Sequence, residues 1–262
     1  MVNIVHWKCR RNNWGDAIAD FIANEISGQE VHWYHGEDLK TNDVRYTVTG
    51  SINQWLRNNN TVIWGTGFIS ESSKLHINPI KVCSVRGPLT RNKFLELGIE
   101  CPEIYGDPAL LMPKFYNPTS NKKYKYGIIP HYIDKENKWV NKFKNNNNIK
   151  IIDITNTENE LKNHRFINDI LECEVILSSS LHGIIAADAY GIPSYWIELS
   201  NNVVGNGFKF KDYFSSVGRP ITEPFRPKLT TKIKDLSSDF YKYNINIDLD
   251  ILYESCPFKN KQ

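Results

Sequence analysis

The residues best suited to chemistry lie in one stretch, Val175 to Glu198, VILSSSLHGIIAADAYGIPSYWIE. Val175 to Leu177 reads as a strand, Ser178, Ser179 and Ser180 as a turn, and Ile184 to Tyr190 as a helix closed by Gly191 and Pro193. Tyr195 to Leu199 reads as the next strand. His182, the titratable ring of this segment, stands at the turn, next to Leu181. A strand end that meets a helix start collects anions, because free helix N–H groups and the helix dipole point at it. The serines either cap the helix or donate hydroxyls to a phosphate or carboxylate. Capping alone would account for them, and packing for a lone histidine. Their coincidence with a strand end and a small-residue helix favours a site.

Other candidates fall at similar places. Arg86, in the run Arg86-Gly87-Pro88, lies between the strand Lys81–Val85 and a helix reaching about Leu97, where a guanidinium clamps a carboxylate or phosphate or forms a surface ion pair. Gly65 and Gly67 follow the strand Thr61–Trp64 and allow close backbone approach to a ligand, although an ordinary turn explains them equally well. Asp16 opens a helix reaching Ile26, as its N-cap or as a carboxylate in the cleft. Asp107, before Pro108, reads as a turn or cap. Lys209, Lys211 and Arg219 belong to a glycine-punctuated basic stretch that either folds over the cleft or stays at the surface, and Glu198 ends a strand. No Walker loop, HExxH or paired-aspartate motif argues for a metal.

The elements that must hold these groups alternate between strand and helix. Strands are expected at Val2–Trp7, Val31–Tyr34, Tyr46–Thr49, Thr61–Trp64 and Lys81–Val85, then at Tyr126–Pro130 and Ile149–Ile154. Helices are expected at Lys138–Lys144, across most of Glu158–Cys173, and at Asp235–Tyr243 and Asp248–Ser255. The pattern predicts an α/β protein of two Rossmann-like lobes, residues 1–113 and 126–230, facing across a cleft. Residues 114–125 read as the linker, and 231–262 as C-terminal helices able to return to the first lobe.

The 262 residues suffice for one large or two modest domains, and a composition 40% hydrophobic and 23% charged is that of a folded chain. A net charge of +3 gives no basis for a nucleic-acid partner. Five scattered cysteines and the lack of a leader-like apolar run point to a reducing, cytoplasmic setting, with peripheral membrane contact left open.

Five stretches together resemble the polysaccharide pyruvyltransferase family: NWGD at 13–16, WGTGF at 64–68, SVRGPLTR at 84–91, YGDPALL at 105–111 and SSSLHGIIAADAYGIP at 178–193. The resemblance is strongest to the bacterial exopolysaccharide ketal-pyruvate enzymes. It implies a two-lobed fold similar to the GT-B-type glycosyltransferases. It also implies transfer of the enolpyruvyl group of phosphoenolpyruvate to two hydroxyls of a sugar, with release of phosphate and without a cofactor. The acceptor it implies is a lipid-linked or oligosaccharide precursor at the inner membrane face. His182 matches the family's LHG histidine, and Arg86 its anion-binding arginine. Related sequences place an arginine before LHG where this chain has Ser180, and Lys209, Lys211 or Arg219 are the substitutes on offer.

Such a reaction needs an acid to protonate C3, cations around the donor and a base for the hydroxyls. His182 is the expected acid, with Arg86 and the serines holding the anion and Asp16 as the candidate base. The helix dipole disfavours imidazolium, but a bound anion a few ångströms away outweighs it. Two rival functions remain at this stage: a nucleotide-sugar glycosyltransferase on the same fold, and a non-catalytic anion- or glycan-binding module.

Overall fold

The computed structural model describes residues 1–5, 13–34, 43–155, 164–233 and 243–260. The expected strand end at His6–Trp7, the helix start at 158–163 and the helix at 235–242 lie outside the described residues, as does Cys9.

The first sheet contains β1 (Val2–Val5), β2 (Val31–Tyr34), β3 (Arg45–Thr47), β4 (Thr61–Trp64) and β5 (Lys81–Ser84) in the order β2-β1-β3-β4-β5. The second contains β6 (Tyr124–Ile129), β7 (Ile149–Ile151), β8 (Cys173–Ser178) and β9 (Ser194–Trp196) in the order β7-β6-β8-β9. Every pairing in both sheets is parallel. Parallel strands need crossovers and are covered on both faces, which explains the short apolar runs rather than alternation. The structure is therefore α/β with two Rossmann-like sheets. Each sheet reverses its strand order once, between β1 and β3 and between β6 and β8.

Helix α1 (Trp14–Ser27) covers the first sheet through Ile18, Ile22 and Ile26, all buried. Its N-cap is Asn13, whose side chain accepts from the Gly15 N–H at 3.0 Å, and not Asp16. The one-turn displacement leaves the Asp16 carboxylate in the first helical turn. Helix α2 (Pro88–Glu96) follows β5, and a short helix α3 (Met112–Phe115) leads into an extended segment before β6. That segment is tied to the second lobe, Lys122 donating to the Leu171 and Cys173 carbonyls. Helix α4 (Lys138–Asn141) is shorter than its basic run, since the chain turns through Phe143 and Asn146 instead. Helices α5 (Arg165–Leu171), α6 (Leu181–Ala189) and α7 (Phe208–Ser216) complete the second lobe. Helix α6 begins three residues before the small-residue run suggested, so His182 is within its first turn. Helix α8 (Leu249–Glu254), capped by Asp248, lies on the first lobe, where Trp64 Nε1 donates to the Leu252 carbonyl at 3.1 Å.

The layers around the two sheets share one hydrophobic core, Trp14 of α1 packing on Phe166 of α5 with ring centroids 4.9 Å apart. The Trp14 N–H also donates across the junction to the Ile154 carbonyl at 2.8 Å. A polar tie lies further along. Asp212 of α7 accepts from Arg86 Nε at 3.0 Å, from the Thr90 N–H at 2.9 Å and from the Thr90 hydroxyl at 2.7 Å. Arg86 and Asp212 are both fully buried. Asp212 thereby caps α2 from the other lobe, and Gly87 allows it: a β-carbon there would fall 2.0 Å from the Asp212 carbonyl oxygen. We expect Asp212→Ala to destabilise the protein by about 3–5 kcal/mol, since it strands a buried guanidinium. Denaturant unfolding should show that Arg86→Ala with Asp212→Ala costs less than the two single changes summed.

Candidate active site

Ligands of open α/β sheets bind beyond the strand carboxyl ends, at the point where strand order reverses. Here both reversals open on one cavity between the lobes, of about 150 Å³. Asn13 and Asp16 enter it from the segment after β1, and Gly50 and Ser51 from the segment after β3. His131 and Tyr132 enter after β6, and Ser180, Leu181 and His182 after β8. Lys209, near the start of α7, supplies an ammonium group. The first turns of α1 and α6 thus meet at the same space; the first N–H groups of α1 are spent on Asn13 and the Ile154 carbonyl, so those of α6 are the ones that favour negative charge.

His182 lies across the lobe junction. Its Nε2 is 3.5 Å from Asp107 Oδ2, and a β-carbon on Gly15 would fall 1.9 Å from its Nδ1. Gly15 is therefore the space that admits the imidazole. Trp14 meets the ring edge-on at 6.3 Å.

Burial dominates the protonation of the other cavity groups. It raises the Asp16 carboxyl from 3.8 to about 6, against the pull of His182 and Lys209. It lowers Lys209 to about 8, with Arg86 adding repulsion and Asp16 opposing both. Burial, helped by Lys209, lowers His131 to about 3, so this ring is neutral at physiological pH. Its Nδ1 accepts from the Ile133 N–H at 3.3 Å.

Of the residues singled out from sequence, Asp16, Ser180, Leu181, His182 and Lys209 line this cavity. Ser180 is the α6 N-cap and makes no side-chain capping bond, whereas the other serines are used internally. Ser178 accepts from the Ser180 N–H at 3.0 Å, and Ser179 from the His131 N–H at 2.8 Å. Arg86 stands behind the wall, bonded to Asp212, to the Phe68 carbonyl and, at 2.5 Å, to the cavity residue Ser51. Gly65 and Gly67 serve packing rather than a ligand, since β-carbons there would strike Pro108 at 2.1 Å and the Arg86 guanidinium at 2.5 Å. Arg219 is buried on Asp188 and the Ser194 carbonyl, between the rings of Phe214 and Tyr243. Lys211 pairs with Glu223 at 2.7 Å and Glu198 with Arg226 at 2.9 Å, both away from the cavity. Sequence reasoning passed over Asn13, Ser51 and His131 as site residues. The strand end before His131 was the available signal, the same one that marked His182.

The family described as polysaccharide pyruvyl transferase matches residues 35–201. This chain belongs to that family. It is 32% identical over 253 residues, 94% of its length and 85% of the relative's, to an uncharacterised protein of Acanthamoeba polyphaga mimivirus. It is 31% identical over 160 residues to the succinoglycan biosynthesis protein ExoV of Rhizobium meliloti (strain 1021), covering 58% of this chain and 46% of that protein. An uncharacterised protein from Klebsiella pneumoniae subsp. pneumoniae NTUH-K2044 shares the fold, with a TM-score of 0.50 at 14% identity over 81% of this chain and 86% of that one. No helix among the described residues is long and apolar enough to cross a membrane.

Because the folded protein raises the Asp16 carboxyl from 3.8 to about 6, it binds this proton more tightly than the unfolded chain does. The ionised group therefore costs stability above about pH 6, and the cost fades as pH falls towards 4. Asp16→Asn should raise the melting temperature at pH 8 and give progressively less gain between pH 6 and pH 4, as read by thermal unfolding.

Proposed function

We propose that the protein transfers the enolpyruvyl group of phosphoenolpyruvate to two hydroxyls of one sugar in a polysaccharide precursor, forming a pyruvate ketal and releasing phosphate. The observation that carries this reading is the convergence of the α6 start, the Lys209 ammonium and the His182 imidazole on one cavity. From the two Rossmann-like sheets we infer a GT-B type of arrangement, with the acceptor entering from the open side. We place the acceptor on a lipid carrier at the inner membrane face, where the protein binds peripherally.

In this mechanism His182 protonates C3 of the donor, and C2 gains oxocarbenium character. The first sugar hydroxyl attacks C2 and gives its proton to Asp16. The carbon–oxygen bond to phosphate then breaks, and the second hydroxyl closes the ketal as its proton leaves with phosphate. Over the cycle one hydroxyl proton reaches the new methyl group and the other leaves on phosphate, so the balance is closed. Lys209, the Ser180 hydroxyl and the first N–H groups of α6 hold the donor's charge. Arg86, one residue behind the wall, adds positive potential while remaining in its ion pair with Asp212. The guanidinium that related sequences carry before LHG is replaced here by the Lys209 ammonium.

Phosphate release from phosphoenolpyruvate with purified protein and a panel of hexoside acceptors tests this function. Release with no acceptor of the panel, alongside tight binding of a nucleotide sugar, would reverse it. His182→Ala should lower the rate by about 10²–10⁴-fold. The profile of kcat/KM should rise near pH 6 as Asp16 ionises, and its alkaline limb should reflect both Lys209, held down to about 8, and the His182 proton that goes to C3. Lys209→Arg should remove the Lys209 contribution to the alkaline limb and leave the acid limb in place, because a guanidinium stays charged.

A further inference from the structure

Among the buried side-chain atoms of the described residues that make no hydrogen bond, His182 Nε2 and Asp107 Oδ2 lie 3.5 Å apart. Asp107 is fully buried, and its other oxygen, Oδ1, accepts from the Ala109 N–H at 3.0 Å. A buried carboxylate with half of its acceptor capacity unused is costly, so the group that approaches Oδ2 has to be a donor. The imidazole is that group. Turning a ring carbon towards Asp107 would put no donor near Oδ2 at all. With Nε2 buried, the 12% of the side chain that remains exposed belongs to the other edges of the ring, and it lines the cavity.

We propose that Asp107 is the positioning residue of the active site: it holds His182 as the Nε2–H tautomer, so that Nδ1 is the nitrogen that gives a proton to substrate. The inference rests on the function proposed above for its catalytic meaning, but the tautomer is a property of the protein alone. In the reaction, imidazolium gives up its Nδ1 proton to the donor's C3, and the electron pair of that N–H bond stays on Nδ1. The Nε2–H bond to Asp107 is kept throughout, and Nδ1 is reprotonated after ketal closure, by the proton Asp16 took from the first hydroxyl. The fold builds this pair deliberately. Asp107 caps the turn Pro108–Leu111, and Pro108 packs into space that Gly65 leaves open. From the opposite side Gly15 admits the imidazole. The charged or titratable groups around the ring are Asp107, Asp16 of α1, Lys209 of α7 and His131 beyond β6. Among these, Asp107 is the one in reach of Nε2, while the other three share the cavity with the remainder of the ring.

Nitrogen-15 NMR of imidazole-labelled protein, without any variant, should show neutral His182 with hydrogen on Nε2. In Asp107→Asn the amide can donate to Nε2, so the proton should move to Nδ1. Phosphate release should then fall by about 10³–10⁴-fold in kcat, with KM for phosphoenolpyruvate changed less than a few-fold. A purely structural Asp107 would instead leave the tautomer unchanged or raise KM together with the loss of kcat, and either result overturns the proposal. A wild-type spectrum with hydrogen on Nδ1 overturns it as well, even if Asp107→Asn does not fold. If the wild-type tautomer is Nε2–H and switches in the variant, but no acceptor yields phosphate, the positioning role stands and the donor assignment fails.

Discussion

The buried contact between Arg86 and Asp212 is the constraint on which the rest of the arrangement depends. Neither lobe can satisfy it alone: the guanidinium follows β5 of the first sheet, and the carboxylate lies in α7 of the second. Because a charge without its partner is expensive in a dry interior, this pair ties the layers of the two sheets together. Asp212 also caps α2, so the same side chain satisfies a helix end and a cation. The start of α7 carries Lys209, and this tie therefore decides how deep the ammonium stands in the cavity.

Electrostatics in the cavity follow from that placement. Asp16, His182 and Lys209 lie near enough to influence one another, and burial pushes the acid up and the amine down towards neutral pH. Neither shift has another dominant cause. A site with one partly protonated carboxyl and one easily deprotonated ammonium carries little net charge when empty. It is therefore prepared for a guest bringing several negative charges, whose arrival favours every positive form present.

Glycines do more here than turn the chain. Gly15, Gly65 and Gly87 each vacate the volume of a methyl group at a place where the facing group belongs to the working parts: His182, the Pro108 that follows Asp107, and Asp212. Gly67 does the same for the Arg86 guanidinium. This accounts for glycine-bearing motifs being the stretches that carried the family resemblance. They record close approaches between segments far apart in the chain.

The alternation of short apolar runs with helical periodicities determined, by itself, the α/β class and the strand ends where chemistry collects. Local hydrogen bonding and side-chain burial have periods of a few residues, so His182, Ser180 and Asp16 were legible as site candidates. Tertiary structure decided which cations are spent on the fold. Arg86 and Arg219 read from sequence as anion ligands, yet each has a buried carboxylate partner far away in the chain, Asp212 and Asp188. It also decided that Asp107, a turn former by its local sequence, faces the histidine 75 residues later, the difference of 182 and 107. Pairing across such distances depends on how two sheets are set against each other, and no local periodicity encodes that geometry.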